Sequence, residues 1–516
     1  MHGMEEFKTS PEDLASSSGP WYRDMTRYHW FVLLVAALGW LFDCLDQQLF
    51  VLSRPAAMKD LVPAVMSSED PKVVDAKATD LARSQAGNTA TALFLAGWAT
   101  GGLFFGMMGD RIGRAKTMMI TILMYSAFTG LSSIATNVWD FSLYRFLTGL
   151  GVGGEFAVGV ALVAEVMPNR ARTVALSLLQ ALSAFGNISA AAINLGLGVA
   201  EEHGLPTSPW RIMFMIGAVP ALLALVIRRN LKEPERWQQA SHDDVVKKQL
   251  GSYRELLGDP RWRKNALLGL VLACSGVIGL WAVGFFAPDL IRTVQRKGLL
   301  AEVLNEKLAD AKAENDTAKI GHIEALIAAS QSKGGMEALP EETKAFQKEN
   351  IDPTFNGRLT RWASYTSFMT NFGAFFGIFG FGLLAQWFGR RPTFAIFLVL
   401  AFISTAAVFW YLNEFWQIFV MIPIMGFCQL SLFGGYAIYF PELFPTRLRS
   451  TGTSFCYNVG RFVAAIGPLA KSWLEGFFKD TPEPLRYAGV TMCFVFVIGL
   501  FVLPFLPETK GKPLPE

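Results

Sequence analysis

Apolar residues in this chain fall in long blocks separated by short polar turns. Blocks of about 20 residues, enough for an α-helix to cross about 30 Å of hydrocarbon, are read at 29–52, 88–108, 117–136, 141–164, 173–197 and 210–229. They are read again at 265–287, 362–386, 392–412, 415–439, 450–473 and 485–506. The pattern predicts an all-α integral membrane protein of about twelve transmembrane helices in two six-helix bundles. The predicted organisation is a polar tail (1–28), a first bundle (29–229), a basic linker (230–264), a second bundle (265–506) and a short tail (507–516). Residues 55–87 read as a loop of mixed charge, and residues 289–361 as an insert within the second bundle.

The two halves repeat. Glu165, Pro168 and Arg172 recur as Glu442, Pro445 and Arg449, each 277 residues later, and Trp139 and Gly149 recur as Trp416 and Gly426. Gly113-Arg114 recurs one residue out of step as Gly389-Arg390. A period this long marks two homologous halves of one unit and not a solenoid.

Composition agrees with a bilayer: 52% of residues are hydrophobic and 17% charged, and the mean hydropathy is +0.32. Basic residues collect in the connections on one side, among them Arg111, Arg114, Lys116, Arg170, Arg172, Arg228, Arg229, Arg390, Arg391, Arg447 and Arg449. That side is expected to be cytoplasmic, with both termini inside and the protein multi-pass in the cell (plasma or inner) membrane. The net charge of +3 is then a topology signal, and no nucleic-acid partner is expected. Cys44, Cys274, Cys428, Cys456 and Cys493 fall inside predicted spans without paired spacing, so they read as buried small hydrophobes. Residues 1–28 are polar and the first apolar run is too long for a cleavable signal.

The insert is rich in Ala, Glu, Lys and Leu. Leu304-Leu308 and Ile320-Ile323-Ile327 stand at helical spacing, Asn315-Asp316-Thr317 can turn and cap a second helix, and Gly334-Gly335 can end it. It reads as a helical cap over the extracytoplasmic mouth, with a solvated charged loop as the alternative.

The run from Gly106 to Lys116, carrying Asp110, Arg111, Gly113 and Arg114, resembles the signature loop of the major facilitator superfamily. In the second half, Gly382 to Arg391 keeps the glycines and the basic pair but replaces the aspartate by Gln386. Arg145 to Glu155, with Gly149, Gly151, Gly153 and Gly154, followed by Glu165 to Arg172, resembles the fourth span of sugar porters and metabolite:proton symporters. Lys232 to Trp237 and Pro507 to Gly511 are similar to sugar-porter end motifs. Trp40 to Asp46 resembles the first span of sialic acid, lactate and aromatic-acid symporters. The resemblance covers nearly all the chain except the insert. It implies a transporter alternating between inward-open and outward-open states around a central cavity, with Asp110, Arg111, Arg114, Glu165, Arg172, Arg390, Glu442 and Arg449 as a cytoplasmic gate.

A charge at mid-bilayer costs about 2.5–3.5 kcal/mol, so intramembrane ions need a partner or a task. Asp43 and Asp46 share a helical face, and two carboxylates this close resist ionising together, which suits one of them to carry a proton. The resemblance implies Asp46 as carrier and Arg145 as its partner; snorkelling of Arg145 to the interface is the alternative. Glu155, flanked by Gly151 and Gly159, reads as a second proton or substrate ligand or as a buried structural partner.

Polar residues in apolar spans supply substrate candidates: Gln180, Ser183 and Asn187; Tyr365, Ser367, Thr370 and Asn371; Gln429 and Tyr436; and Tyr457, Asn458 and Arg461. The flat five-donor guanidinium of Arg461 suits a carboxylate, and pairing of Arg461 with Glu442 is the alternative.

These features predict a proton-coupled symporter of a small organic anion: a monocarboxylate, an aromatic acid or an acidic sugar. A neutral-sugar symporter or facilitator is the second reading, and a non-transporting nutrient receptor belongs to a different class. No metal-ligand cluster, phosphate loop or nucleophile elbow stands in a suitable context, so no enzyme and no cofactor beyond the coupling proton is expected. The expected partners are the solute and the lipid bilayer, with the chain working as a monomer.

Overall fold

The computed structural model describes residues 21–66, 76–202, 207–242, 249–280, 287–331, 339–464, 474, 477–478, 481 and 483–515. These are almost entirely helical, with no sheet among them. In the first half the spans are α1 (Arg27–Leu61), α2 (Ala76–Ile112), α3 (Arg114–Ser132) and α4 (Val138–Val166). The fifth is α5 (Asn169–Ala181) continuing into α6 (Ser183–Glu202), and the sixth is α7 (Pro209–Ile216) with α8 (Ala221–Asn230). The break in the sixth falls at Gly217 to Pro220, where proline supplies no backbone donor to continue the ladder. Short helices α9 (Glu235–His242) and α10 (Tyr253–Gly258) occupy the linker.

The second half has α11 (Pro260–Ile278), an insert of α12 (Ala287–Ala313), α13 (Thr317–Gln331) and α14 (Glu341–Phe346), then α15 (Asp352–Phe388), α16 (Arg390–Tyr411), α17 (Ile418–Leu443) and α18 (Arg449–Ala464). The last span is split into α19 (Pro484–Met492) and α20 (Val495–Val502). Eight stretches among the described residues are long and apolar enough to cross a membrane. The remaining spans fall short because they are broken, or because polar side chains such as Thr117, Thr121 and Thr129 of α3 face inward.

Packing repeats the sequence repeat. In the first half α4 lies against α2 and α3 and α1 against α6; in the second, α17 lies against α15 and α16 and α11 against α18. The halves meet where α2 packs on α18 and α5 on α15.

Local signals set the ends. Asn137 caps α4 by accepting from the N–H groups of Trp139 and Asp140 at 2.9 and 3.0 Å, and Asp259 caps α11 ahead of Pro260. Gly113 and Gly389 precede α3 and α16 with φ of 113° and 98°, a region costly for residues with a Cβ.

Two boundaries differ from the sequence reading, while the insert is helical as expected. The segment read as a loop at 55–87 is largely helix, because α1 and α2 continue past the bilayer length. The insert is helical: Asn315 turns with φ 55°, and Asp316 caps α13 by accepting from the Lys319 N–H at 3.1 Å. Gly334-Gly335 lies outside the described residues. Finally, α15 begins inside the expected insert at Asp352, since Ile351 and Phe355 belong to the insert's own apolar cluster with Leu299, Val303, Leu304, Ile323 and Leu326.

Candidate functional site

Among the described residues, five charged side chains are buried between the two faces of the bundle: Asp43, Asp46, Arg145, Glu155 and Arg461. They fall into three groups.

Asp46 accepts a hydrogen bond from Thr129 Oγ1 at 2.5 Å and faces Arg145 Nη1 at 3.5 Å. Arg145 does not snorkel; it is fully buried. Its Nε and Nη2 donate to Ser132 Oγ at 3.1 and 2.7 Å, and its guanidinium carbon lies 4.6 Å from the Phe214 ring centre. Arg145 therefore keeps a polar and aromatic cradle whether or not Asp46 is charged.

Asp43 faces elsewhere. Neither of its oxygens has a protein hydrogen-bond partner, and its electrostatic neighbours are Glu155, Asp46 and Arg461. Glu155 accepts from Thr121 Oγ1 at 3.0 Å through Oε2, while Oε1 is unpartnered and packs on Gly39, one turn before Asp43. The sequence reading puts Asp43 and Asp46 on one helical face, which would reach water only by lining a cavity. They are instead sealed among helices, because the face that opens is the one carrying Trp40, Cys44, Gln47 and Gln48.

That opening is a cavity of about 300 Å³ between the halves. Gln180, Asn187, Asn371, Gln429, Tyr457 and Arg461 line it, as the sequence predicts. Asn187 Nδ2 donates to Asn371 Oδ1 across the halves at 3.0 Å. Asn458 does not line the cavity; it accepts from Arg461 Nη1 at 2.6 Å and packs against Gly102, so it positions the arginine. Arg461 lies between two rings, its guanidinium carbon 4.1 Å from the Trp98 centroid and 4.2 Å from that of Tyr457. Its alternative partner is taken: Glu442 accepts from Arg390 at 2.9 and 2.7 Å. Among the described residues lining the cavity, Arg461 is the only charged one.

Sequence reasoning missed Trp98 and Phe433, which give no polar signal inside apolar blocks. It also missed Thr121, Tyr125, Thr129 and Ser132, whose spacing of 4, 4 and 3 places them on one face of α3 and could have revealed the inner side.

The basic face is closed. Asp110 accepts from the N–H groups of Ser450 and Thr451 at 3.1 and 2.8 Å and from Thr451 Oγ1 at 2.6 Å. Arg114 reaches Asp110 at 3.0 Å and Glu165 at 2.9 Å, and Arg449 from the other half reaches the same Glu165 oxygen at 2.7 Å. The mirror site is weaker. Arg390 donates to Thr173 Oγ1 at 2.8 Å, and Gln386 donates to the Arg170 carbonyl at 2.9 Å. Two expected gate residues stand apart: Arg172 bonds Asn169 at 2.5 Å and forms no ion pair with Glu442, and Arg111 donates to the Leu250 carbonyl in the linker at 3.3 Å.

Glu233 and Glu508 cap α3 and α16 from afar. Glu233 accepts from the N–H groups of Ala115 and Lys116 at 3.1 Å each, and Glu508 from those of Arg390 and Arg391 at 2.9 and 3.0 Å. Burial acts to raise the Glu508 carboxyl, but the N–H groups of Arg390, Lys510, Arg391 and Thr509 outweigh it and hold it below the ordinary range.

The family model of the Major Facilitator Superfamily matches residues 35–303 and 350–516. The chain belongs to the Major Facilitator Superfamily. The stretch that the match omits falls within the insert. This superfamily member is 27% identical over 494 residues to a metabolite transport protein of Haemophilus influenzae, covering 94% of this chain and 98% of that one. It is 25% identical over 461 residues to the sialic acid transporter NanX of Escherichia coli, covering 89% and 90%. It is 26% identical over 424 residues to the cis,cis-muconate transport protein of Acinetobacter baylyi, covering 81% and 84%. The proton:xylose symporter XylE, bound to 6-bromo-6-deoxy-D-glucose, shares its fold with a TM-score of 0.66 at 16% identity, over 94% of this chain and 98% of that one. The protein is thus a multi-pass membrane transporter and not an enzyme.

Proposed function

We propose that the protein is a proton-coupled symporter of a small organic anion, working as a monomer in the plasma or inner membrane with both termini cytoplasmic. The observation that carries this reading is Arg461, the one charged residue among the described residues that line the cavity, with the Asp46–Arg145 pair sealed behind it. Two relatives named for acids, sialic acid and cis,cis-muconate, support the substrate class.

The cycle follows from the contacts. With the cytoplasmic face closed, an incoming carboxylate competes for the Arg461 guanidinium now stacked on Trp98 and Tyr457. A proton arriving at Asp46 removes its charge and loosens Arg145, which keeps Ser132 and the Phe214 ring. Rocking of the halves then breaks the bonds of Asp110, Glu165 and Arg449, and substrate and proton leave on the cytoplasmic side. One pH unit supplies about 1.4 kcal/mol, an accumulation of about tenfold.

The test is uptake of labelled organic acids and sugars into proteoliposomes under an inward proton gradient. Asp46→Asn is expected to abolish accumulation while sparing exchange, and accumulation at the wild-type level would sink the carrier assignment. A second reading, neutral-sugar symport, draws on the amide groups of Gln180, Asn187, Asn371 and Gln429 around the cavity. Uptake of sugars that survives Arg461→Gln would favour it.

A further inference from the structure

Between the cytoplasmic gate and the outer helix ends, the buried charges among the described residues are Asp43, Asp46, Glu155, Arg145 and Arg461. Three carboxyl groups face two guanidinium groups, so full ionisation leaves one uncompensated negative charge among these residues. Geometry shows where it falls. Asp46 has Arg145 and the Thr129 hydroxyl, whereas Asp43 has no protein hydrogen-bond partner and Glu155 lacks one for Oε1. From the elements packed around this pair, Cys44 and Asp46 face it on α1, Thr121 and Tyr125 on α3, and Arg461 on α18. Arg461 is the sole cation in that set, and its Nη1 is already committed to Asn458.

We propose that Asp43 and Glu155 hold one resident proton between them throughout the cycle, so that the protein carries one proton with each monoanion and moves no net charge. With that proton in place the empty carrier is neutral: Asp46 balances Arg145, and the one remaining carboxylate balances Arg461. A bound monoanion adds one negative charge, and protonation of Asp46 restores neutrality. The empty and loaded forms therefore differ by one anion and one proton, and each crosses the low-dielectric interior uncharged, the cheapest condition for doing so. The proton that moves is bound at Asp46 from outside and leaves its carboxyl to the cytoplasm, while the proton on the Asp43/Glu155 pair stays. A dianion would leave the loaded form charged, so the proposal limits the substrate to monocarboxylates and sets this site apart from one for a dicarboxylate such as the cis,cis-muconate of one relative.

This inference rests on the anion-symport reading, and two measurements separate them. In proteoliposomes tested with labelled glucuronate and sialic acid, hydrophilic monoanions whose acid forms do not cross a bare bilayer, and compared with protein-free vesicles, one pH unit with the membrane potential clamped to zero is expected to give up to about tenfold accumulation. An interior-negative potassium diffusion potential at equal pH is expected to give none. Accumulation driven by the potential alone, or accumulation approaching about a hundredfold from one pH unit, would overturn the one-to-one electroneutral cycle.

The second measurement reads the resident proton without any substrate. Infrared spectra of the unloaded wild type are expected to keep a protonated-carboxyl band far above the ordinary carboxyl range of about pH 4, and Glu155→Gln is expected to remove or shift it. Absence of the band in the wild type overturns the resident proton. A band present while no acid is carried or exchanged supports the proton pair and removes the symport reading instead.

Discussion

Replacing Asp110 by asparagine should open the closed basic face, the cytoplasmic gate of the proposed cycle. The carboxylate makes four contacts, three of them across the halves: Oδ1 takes the Ser450 N–H and, within its own half, Arg114, and Oδ2 takes the Thr451 N–H and hydroxyl. An amide keeps one acceptor and turns a donor toward the N-terminal end of α18, so at least two bonds to a charged acceptor are lost. At about 1.5–3 kcal/mol each, less what Arg114 regains through Glu165, the closed state should lose about 3 kcal/mol, a shift of about 150-fold toward the inward-open state. The mirror substitution Gln386→Leu removes one neutral bond to the Arg170 carbonyl, worth about 1 kcal/mol and about fivefold. Spin labels at the exposed Lys116 and Trp387 report the separation of the halves by pulsed dipolar spectroscopy. The long-distance population should dominate in Asp110→Asn and rise modestly in Gln386→Leu. Equal effects, or a larger one in Gln386→Leu, would refute the unequal division of the gate between the two halves.

Further outcomes follow from the same contacts. Arg461→Gln should weaken binding of a transported monocarboxylate by about 1.5–3 kcal/mol, or 10- to 150-fold, read by equilibrium dialysis, and Arg461→Lys should not restore it because the stacked planar fork is lost. The Glu508 carboxyl sits below its ordinary value of 4.5, so its cap on α16 is fully present above that value and is lost as pH falls through the lower, folded value. Glu508→Gln should mimic this loss at neutral pH, with amide exchange at the start of α16 faster by about 0.5–2 kcal/mol of protection. Leu304→Ala should destabilise the insert by about 2–5 kcal/mol, visible as faster exchange in α12 and α13, with anion binding unchanged.

The fold was legible because a spanning helix announces itself by block length, and a repeat of 277 residues divides the blocks into halves. The charged residues were legible because an ion in an apolar block is costly enough to need a partner or a task. The rest depended on partners that one sequence does not display. Asp43 and Asp46 lie three apart, yet one meets Arg145 and the other Glu155, since their surroundings are set by α3 and α4. Trp98 looks like any core aromatic until α18 brings Arg461 onto its face. Arg172 repeats Arg449 in sequence but finds Glu442 already bonded to Arg390 and to Thr509 at 2.6 Å, so the symmetry of the motifs is not a symmetry of contacts.

The caps supplied by Glu233 and Glu508 have a mechanical meaning. Each ties the chain leaving the last span of a half to the start of that half's third span, closing the half into a hoop at its basic rim. A hooped bundle resists splaying, so force applied at one point of the rim turns the whole half instead of bending one helix. The flex of the cycle is thereby left to the seam where α2 meets α18 and α5 meets α15, and the two halves behave as stiff jaws on a soft joint.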